Sequence, residues 1–316
     1  MKAHLLLGLA LVLPVAGQVK LTQGSDRILV EIDGKPFGDL IIASDTAKPY
    51  FHPLRSASGK IVSRRYPMEL VEGEAKDHPH HRGLWFTHGD VNGYDFWANE
   101  PTQKGAVPNG RGKITVRKVL EVNSGRKSGS LRASFDWQTL DGRTLVNETR
   151  AMTFHSDPAL RIVDFDALLT AVEKVKFGDT KEGAFAIRLA TELDEKHTGR
   201  MTNGEGKQTE KEVWGKPSPW VDYSGTVEGE KLGVAIFDHP SNPRHPTYWH
   251  SRAYGLFASN IWGLHDFLRD KSKDGSMTLE PGQSARFRFR VVIHPGDTES
   301  AGIAGLYKKY AAMKFK

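Results

Sequence analysis

The feature that most constrains the fold is the regular alternation of apolar and polar residues in several stretches of the chain. Apolar side chains occupy every second position in residues 131–137, and the same period recurs in residues 185–189 and 287–293. A period of two is typical of an extended strand that buries one face. Residues 28–33 and 232–237 predict two further strands, and the second is apolar enough to be buried on both faces. We therefore expect strands to dominate the fold.

Turn dipeptides separate these predicted strands. Asp33-Gly34, Asp141-Gly142 and Asp274-Gly275 are the pairs favoured in tight reversals, and Glu228-Gly229 and Pro281-Gly282 mark two more. Short strands with turns between them are typical of a β-sandwich.

One helix is predicted, at the C-terminus. Ile303, Leu306, Tyr307 and Tyr310 have the i, i+3, i+4, i+7 spacing of one helix face, and Asp297 or Thr298 would be its N-cap. The predicted fold class is all-β, a large β-sandwich or supersandwich with a short C-terminal helix. We expect residues 18–316 to form one such domain.

The N-terminus has the pattern of a secretory signal peptide. Lys2 precedes an apolar stretch over residues 5–15, and the small residues Ala16 and Gly17 suit a cleavage site. We therefore expect residues 1–17 to be a signal peptide and the protein to be exported, either periplasmic or secreted. The chain has no cysteine, so neither a disulfide framework nor a cysteine-linked lipid is expected. No membrane span is predicted, because no other stretch reaches ~18 uninterrupted apolar residues.

The charge of the chain does not indicate nucleic-acid binding. Lys and Arg number 44 against 38 Asp and Glu, which gives a net charge of +6. The excess is spread along the sequence, and no nucleic-acid-binding motif accompanies it.

Two segments rich in histidine and tryptophan are the main candidates for a functional site. They cover residues 77–97 and 238–265, and together they contain eight of the 13 histidines. Proline and glycine are frequent in both, which favours loops and strand ends, where functional residues concentrate. The alternative is that their aromatic residues only cover the ends of a sandwich.

Aromatic faces beside charged hydrogen-bonding groups suit a sugar, so we predict a small-molecule or oligosaccharide ligand. Trp85, Trp97, Trp214 and Trp249 are candidate platforms, although core packing is the alternative for each. The full set of predicted substrate-binding residues is His81, Arg82, Trp85, His88, Asp90, Trp97, Arg188, Trp214, Asp222, Asn242, Trp249 and Arg252.

Acid–base chemistry requires a histidine or carboxylate in a cleft. Glu182 lies in a loop between Gly178 and Gly183 and is the predicted carboxylate base. His250, the candidate acid, would share a strand face with Arg252 if that segment is extended. His78 and His80 would also share a face in an extended chain, which Pro79 favours at His78. The predicted catalytic residues are Glu182, His250, His80 and His78.

No cofactor is predicted, and a divalent metal is the alternative. His78 and His80 could bind a metal, but the usual sandwich pattern adds a glutamate, and none occurs between His80 and Trp97. His88 and Asp90 with a distant His250 would satisfy the two-histidine, one-carboxylate rule for non-haem iron.

Four motifs resemble the bacterial family labelled PmoA-like or "methane oxygenase PmoA", a domain of unknown function, over most of the mature chain. They are His78-Pro79-His80-His81-Arg82-Gly83, Gly89-Asp90-Val91-Asn92-Gly93, Gly178-Asp179-Thr180-Lys181-Glu182-Gly183 and Tyr248-Trp249-His250-Ser251-Arg252. Methane oxidation is not expected, because a membrane methane monooxygenase subunit needs several spanning helices.

The stretch Leu279-Glu280-Pro281-Gly282-Gln283, followed by a long alternating strand, is similar to the aldose-epimerase (galactose mutarotase-like) supersandwich. This resemblance implies a sugar cleft on a concave sheet and a histidine acting with a glutamate as acid and base. It also implies that Glu182 and a histidine from either segment do related work.

Three functional hypotheses follow. The first is an exported carbohydrate-active enzyme of the epimerase, lyase or hydrolase type. The second is a metal-dependent oxygenase or hydrolase built on His88, Asp90 and His250. The third is a non-catalytic glycan-binding module that uses the same aromatic residues.

Overall fold

The computed structural model describes residues 17–315 of the chain. The predicted signal peptide therefore lies outside the described residues, except for Gly17. The described part is built from strands, as the alternation predicts.

The strands in the first part of the chain are β1 (Val19–Gln23), β2 (Arg27–Ile32), β3 (Lys35–Ile41), β4 (Tyr50–His52), β5 (Leu84–His88), β6 (Gly112–Asn123), β7 (Ser128–Thr139), β8 (Thr144–Ser156) and β9 (Arg161–Ala171). Those in the second part are β10 (Val175–Phe177), β11 (Gly183–Arg188), β12 (Arg200–Asn203), β13 (Trp220–Val227), β14 (Glu230–Asp238), β15 (Tyr248–Ser251), β16 (Leu256–Asn260), β17 (Met277–Leu279) and β18 (Ser284–Pro295). The helices are α1 (Thr209–Val213), α2 (Leu264–Phe267) and α3 (Ile303–Ala311), with a 3-10 turn over Thr191–Leu193.

Two antiparallel sheets of eight strands form the fold. The first sheet has the order β1-β2-β3-β4-β5-β11-β16-β15, and the second has the order β12-β13-β14-β18-β9-β8-β7-β6. The strands β10 and β17 form a separate pair. The predicted turns at Asp33-Gly34, Asp141-Gly142 and Glu228-Gly229 join β2 to β3, β7 to β8 and β13 to β14.

The core lies between the two large sheets and is rich in phenylalanine. Phe86 and Phe185 of the first sheet pack against Phe165 of the second, with ring centroids 5.4 Å and 4.8 Å apart. Phe185 also stacks on Phe289 at 4.5 Å. This packing of two inner faces gives the all-β sandwich that the sequence predicts.

The outer face of the second sheet carries the C-terminal helix. Ile303 and Tyr310 of α3 are buried, as their spacing predicts. The N-cap prediction was wrong: Gly302, in a left-handed conformation with a φ of 62°, is the N-cap. Asp297 and Thr298 are occupied elsewhere, because Asp297 accepts a hydrogen bond from the backbone N–H of Ser300 and Thr298 donates to Asp222. None of the helices within residues 17–315 is long and apolar enough to cross a membrane.

Candidate functional site

One row of paired residues crosses the middle of the first sheet and ends at His250, which lines a cavity. Tyr50 pairs with Trp85, Trp85 with Ala186, Ala186 with Ala258, and Ala258 with His250. Directly paired residues of neighbouring strands point to the same face of a sheet. Since the adjacent positions carry the core phenylalanines, this row points away from the core.

A cavity of about 420 Å³ lies at this face, and we call it the histidine cavity. All four predicted catalytic residues line it, together with three of the predicted binding residues. Its lining consists of His78, His80, His81, Asp95, Trp97, Ala98, Ala106, Lys181, Glu182, His250, Arg252 and Tyr254. The two segments singled out in the sequence therefore meet in space with the loop that carries Glu182.

His250 is held at the end of β15 in one tautomer. Its Nδ1 donates a hydrogen bond to the carbonyl oxygen of Lys181 at 2.8 Å, since a carbonyl can only accept. Its Nε2 is then the unprotonated nitrogen of the neutral ring. Burial lowers the pKa of His250, while the negative charge of Glu182 acts in the opposite direction. The ring is thus a neutral base with an acceptor nitrogen free of protein hydrogen bonds within residues 17–315.

His80 and His81 are held in the opposite tautomer. The amide nitrogen of Gln103 donates to Nδ1 of His80 at 2.8 Å, and the guanidinium of Arg188 donates to Nδ1 of His81 at 3.1 Å. Each Nδ1 is an acceptor, so the proton of each neutral ring lies on Nε2. Burial, helped by the charge of Lys48, lowers the pKa of His80 to about 2. Burial, helped by the neighbouring His80, also holds the pKa of His81 well below its usual range. Both rings are therefore neutral N–H donors.

The carboxylate of Asp77 holds the side chains around His78 and His81 in place. It accepts hydrogen bonds from Nδ1 of His78 at 2.8 Å, from Arg188 at 2.9 Å and from Arg64. Partial burial opposes ionisation of Asp77, but the His78 hydrogen bond and the two guanidinium charges outweigh it and hold the pKa of Asp77 well below its usual range. The carboxylate fixes both Arg188, which orients His81, and His78.

His78 is placed by stacking as well as by Asp77. Its ring is nearly parallel to the rings of Tyr254 and His81, with centroid distances of 5.5 Å and 4.7 Å. The predicted extended conformation at His78 was wrong, because its φ is +43° and the following residues form a turn. The turn still brings the rings of His78 and His80 to within 5.6 Å.

Glu182 lies immediately before β11 at the edge of the cavity. Its carboxylate accepts a hydrogen bond from Nζ of Lys181 at 2.7 Å, and its backbone carbonyl accepts one from Gly89 at 2.7 Å. A Cβ at position 89 would lie 2.8 Å from Cβ of Glu182, so only glycine permits this close approach. Gly89 therefore positions the Glu182 segment.

Two predicted binding residues contact His81, which lines the cavity, without lining the cavity themselves. Trp85 is buried and stacks on His81 at 5.2 Å. Arg188 is buried between Asp77 and His81, and its guanidinium lies 4.6 Å from the ring centroid of Tyr254. Neither residue lines the cavity.

The other predicted binding residues of the first segment lie elsewhere. His88 is in the core, where its Nε2 hydrogen-bonds the carbonyl oxygen of Gly178 at 2.7 Å and burial lowers its pKa to about 4. Asp90 caps a turn by accepting from the backbone N–H of Gly93. Arg82 donates two hydrogen bonds to the carboxylate of Glu100 and lines a different cavity.

Three predicted binding residues of the second half also lie away from the cavity. Trp249 belongs to the core and donates to the carbonyl oxygen of Ser218. Asn242 is buried in a turn, where it donates to Asp238. Asp222 is fully buried in the second sheet. Trp249 and Asn242 come from the second of the two segments, whereas Asp222 lies outside both and contacts His294 and Thr298. Trp214 lies beside His250 and lines an adjoining cavity.

The metal alternative named His88, Asp90 and His250. Within residues 17–315, no group of three or more histidine, aspartate or glutamate side chains is close enough to hold a metal ion. His88 and His250 each direct a ring nitrogen to a backbone carbonyl instead.

The sequence did not predict five polar residues of the site. Tyr254, Lys181 and Asp95 line the cavity, and Asp77 and Gln103 orient its histidines. Asp77 and Tyr254 are close in sequence to named histidines and could have been found by proximity. Gln103 has no local signal, because its role depends on a contact with His80, 23 residues away.

Solved structures with a similar overall arrangement include sugar-related proteins. A galactose mutarotase-like protein from Clostridium acetobutylicum is 13% identical, with a TM-score of 0.43, over 88% of this chain and 98% of that protein. A galactose mutarotase related enzyme from Lactobacillus acidophilus is 10% identical, with a TM-score of 0.38, over 89% and 98%. The GH36 α-galactosidase AgaB from Geobacillus stearothermophilus is 8% identical, with a TM-score of 0.44, over 89% of this chain and 42% of the galactosidase.

No curated protein matches this chain in sequence. A family model described as "Family of unknown function (DUF6807)" matches residues 27–308, which is nearly all of the described sandwich. The chain belongs to the DUF6807 family.

Proposed function

We propose that this protein is an acid–base enzyme acting on a sugar or glycoside, and that its reaction begins when His250 removes a proton. One observation carries the proposal: Nδ1 donates in His250 but accepts in His80 and His81. The cavity therefore offers a ligand one acceptor nitrogen and two N–H donors. A substrate with an acidic proton beside a carbonyl oxygen would match that pattern.

In the proposed step, Nε2 of His250 takes a proton from a carbon next to a carbonyl group of the sugar. The electron pair of the broken C–H bond forms a C=C double bond with the carbonyl carbon, and the π pair of the C=O bond moves to the oxygen, which becomes an enolate oxygen. Neutral His80 and His81 donate hydrogen bonds to that oxygen, and such donors stabilise charge that develops in the transition state. Glu182 stabilises the imidazolium formed on His250, since its charge favours the protonated ring.

The enolate has two possible fates. In an epimerase it regains a proton at the same carbon from the opposite face, and in a lyase it expels an oxygen substituent from the neighbouring carbon. In the lyase, the imidazolium of His250 gives its proton to the departing oxygen. In the epimerase, an acid or water on the face opposite His250 supplies the new proton and His250 releases its own proton to solvent, because return from His250 would restore the starting configuration. Proton removal is common to both, so it is the step to test.

The test is solvent exchange. The purified protein is incubated in D₂O with a panel of aldoses, ketoses, uronates and their glycosides, and loss of each C–H signal is followed by NMR. We expect exchange on one sugar class and a loss of at least ~100-fold in His250→Asn, because general-base catalysis is typically worth two to four orders of magnitude. The asparagine amide can keep the hydrogen bond to Lys181 but cannot take the proton.

His197→Asn is the matched control, because His197 is half exposed and contacts Asp194 at the surface. It should exchange like the wild type. If the wild type binds sugars but neither exchanges protons nor forms a product, the enzyme proposal is wrong and a glycan-binding module explains the cavity better.

We also propose that the protein is exported, on the strength of the pattern in residues 1–17 and the lack of cysteine. We also propose that the chain is related to the PmoA-like family, on the four motifs named above.

A further inference from the structure

A second cavity, of about 470 Å³, adjoins the histidine cavity across Trp214, and we call it the Trp214 cavity. Trp214 lines this second cavity and His250 lines the histidine cavity, and their rings form a T-shaped pair with centroids 6.3 Å apart. Arg252 lines the histidine cavity, and its guanidinium is held at 3.0 Å by Glu210, which lines the Trp214 cavity. Contacts between lining residues therefore connect the two cavities.

The Trp214 cavity is positively charged. Lys211, Lys216 and Arg269 line it, and none of the three has an acidic partner within 4 Å among residues 17–315. Its one lining carboxylate, Glu210, is already occupied by Arg252 and by the backbone N–H of Ala253. Three cations thus face one neutralised carboxylate, which leaves the cavity suited to an anion.

Arg269 is the lining cation best suited to a carboxylate. It is exposed in the turn that follows α2, and its guanidinium lies 5.9 Å from the ring centroid of Trp214. A guanidinium can bind a carboxylate through two parallel hydrogen bonds, which a lysine cannot. Phe267 and Leu268 supply an apolar surface beside it for the ring of a sugar.

We propose that the Trp214 cavity binds a sugar unit that carries a carboxylate. This unit belongs to an oligosaccharide whose reacting unit occupies the histidine cavity. This inference rests on the proposed function, because it assumes that the histidine cavity takes a sugar. The substrate is then an oligosaccharide that contains a uronate, not a free neutral sugar. Arg269 binds the carboxylate, and Lys211 and Lys216 add positive charge.

The experiment compares tetrasaccharides from polygalacturonate, alginate and hyaluronan with their carboxyl-reduced, neutral counterparts by isothermal titration calorimetry. We expect one acidic tetrasaccharide to bind at least ~10-fold more tightly than its neutral counterpart, as charge-assisted hydrogen bonds suggest. Arg269→Gln should remove most of that difference and leave the affinity for the neutral sugar within about two-fold. Lys308→Gln, on α3, is the matched control and should change neither affinity.

Equal affinity for acidic and neutral tetrasaccharides would overturn the inference, as would an Arg269→Gln variant that weakens both alike. Equally tight binding of a poly-glutamate peptide would also overturn it, since the cavity would then recognise charge alone. The two proposals fail differently. Proton exchange on neutral sugars without an Arg269 effect removes only this inference, whereas Arg269-dependent binding of acidic sugars without exchange removes only the catalytic proposal.

Discussion

The substitution Asp222→Asn separates a structural role for this residue from the substrate-binding role that the sequence predicted. Asp222 and His294 are both fully buried, and Nε2 of His294 lies 2.9 Å from the carboxylate. Thr298 donates to the other carboxylate oxygen at 2.6 Å. Burial alone would lower the pKa of His294, but the charge and hydrogen bond of Asp222 outweigh it and raise the pKa. The protonated ring and the carboxylate form a buried ion pair.

Removing one partner of a buried ion pair costs about 3–5 kcal/mol, because the other charge is left without compensation. We expect Asp222→Asn to lower the free energy of unfolding by that amount at pH 6. The pair's contribution is fully present below the unfolded-state histidine pKa, about 6.5, and is lost as pH rises through the raised folded-state pKa. The cost of the substitution should therefore be smaller at pH 9.

The assay is urea unfolding followed by tryptophan fluorescence at pH 6 and pH 9. Asp45→Asn, at an exposed aspartate, is the matched control and should change stability by less than about 0.5 kcal/mol. The reasoning is refuted if Asp222→Asn costs the same at both pH values, or less than about 1 kcal/mol at pH 6. If the variant folds normally but loses sugar binding, Asp222 belongs to a binding site after all.

Two further predictions concern the histidine cavity and its surroundings. The pKa values of His80, His52 and His88 are lowered by burial to about 2, 4 and 4. A histidine whose pKa is lower in the folded state contributes stability at pH values above its unfolded-state pKa. That stability is lost as the pH falls towards the folded-state pKa. The urea midpoint should therefore fall steadily from pH 6.5 to pH 4, and a midpoint that stays constant over this range would contradict the buried neutral state. Gly89→Ala should displace Glu182 and reduce proton exchange while the protein remains folded by circular dichroism, because the new Cβ would lie 2.8 Å from that of Glu182. Gly305→Ala, where nothing lies within 4 Å, should leave exchange unchanged, and equal effects of the two substitutions would show that Gly89 does not position Glu182.

Neighbouring residues of one strand show why the sequence located the site only in part. Trp249 and His250 are adjacent in β15 and were both chosen because they lie in the same histidine- and tryptophan-rich segment. His250 faces the cavity, whereas Trp249 points into the core and packs on Phe257. Successive side chains of a strand point to opposite faces, and a run of non-alternating residues does not show which face is which.

Residue type was a better guide where the segment forms a loop. His78, His80 and His81 all reach the cavity, because the turn at His78 gathers consecutive side chains on one side. His88 is the last residue of β5, and the alternation of side chains along that strand directs its ring into the core. The same kind of residue in the same segment therefore has two different environments.

The sequence by itself determined the all-β fold class, most of the predicted turns and the C-terminal helix, because these depend on patterns between residues close in the chain. The tertiary structure decided the chemistry of the cavity. The hydrogen bonds that fix the tautomers of His80, His250 and His81 come from residues 23, 69 and 107 positions away. A ring nitrogen becomes a donor or an acceptor only through such a partner, and the folded sheet alone brings those partners within hydrogen-bonding distance.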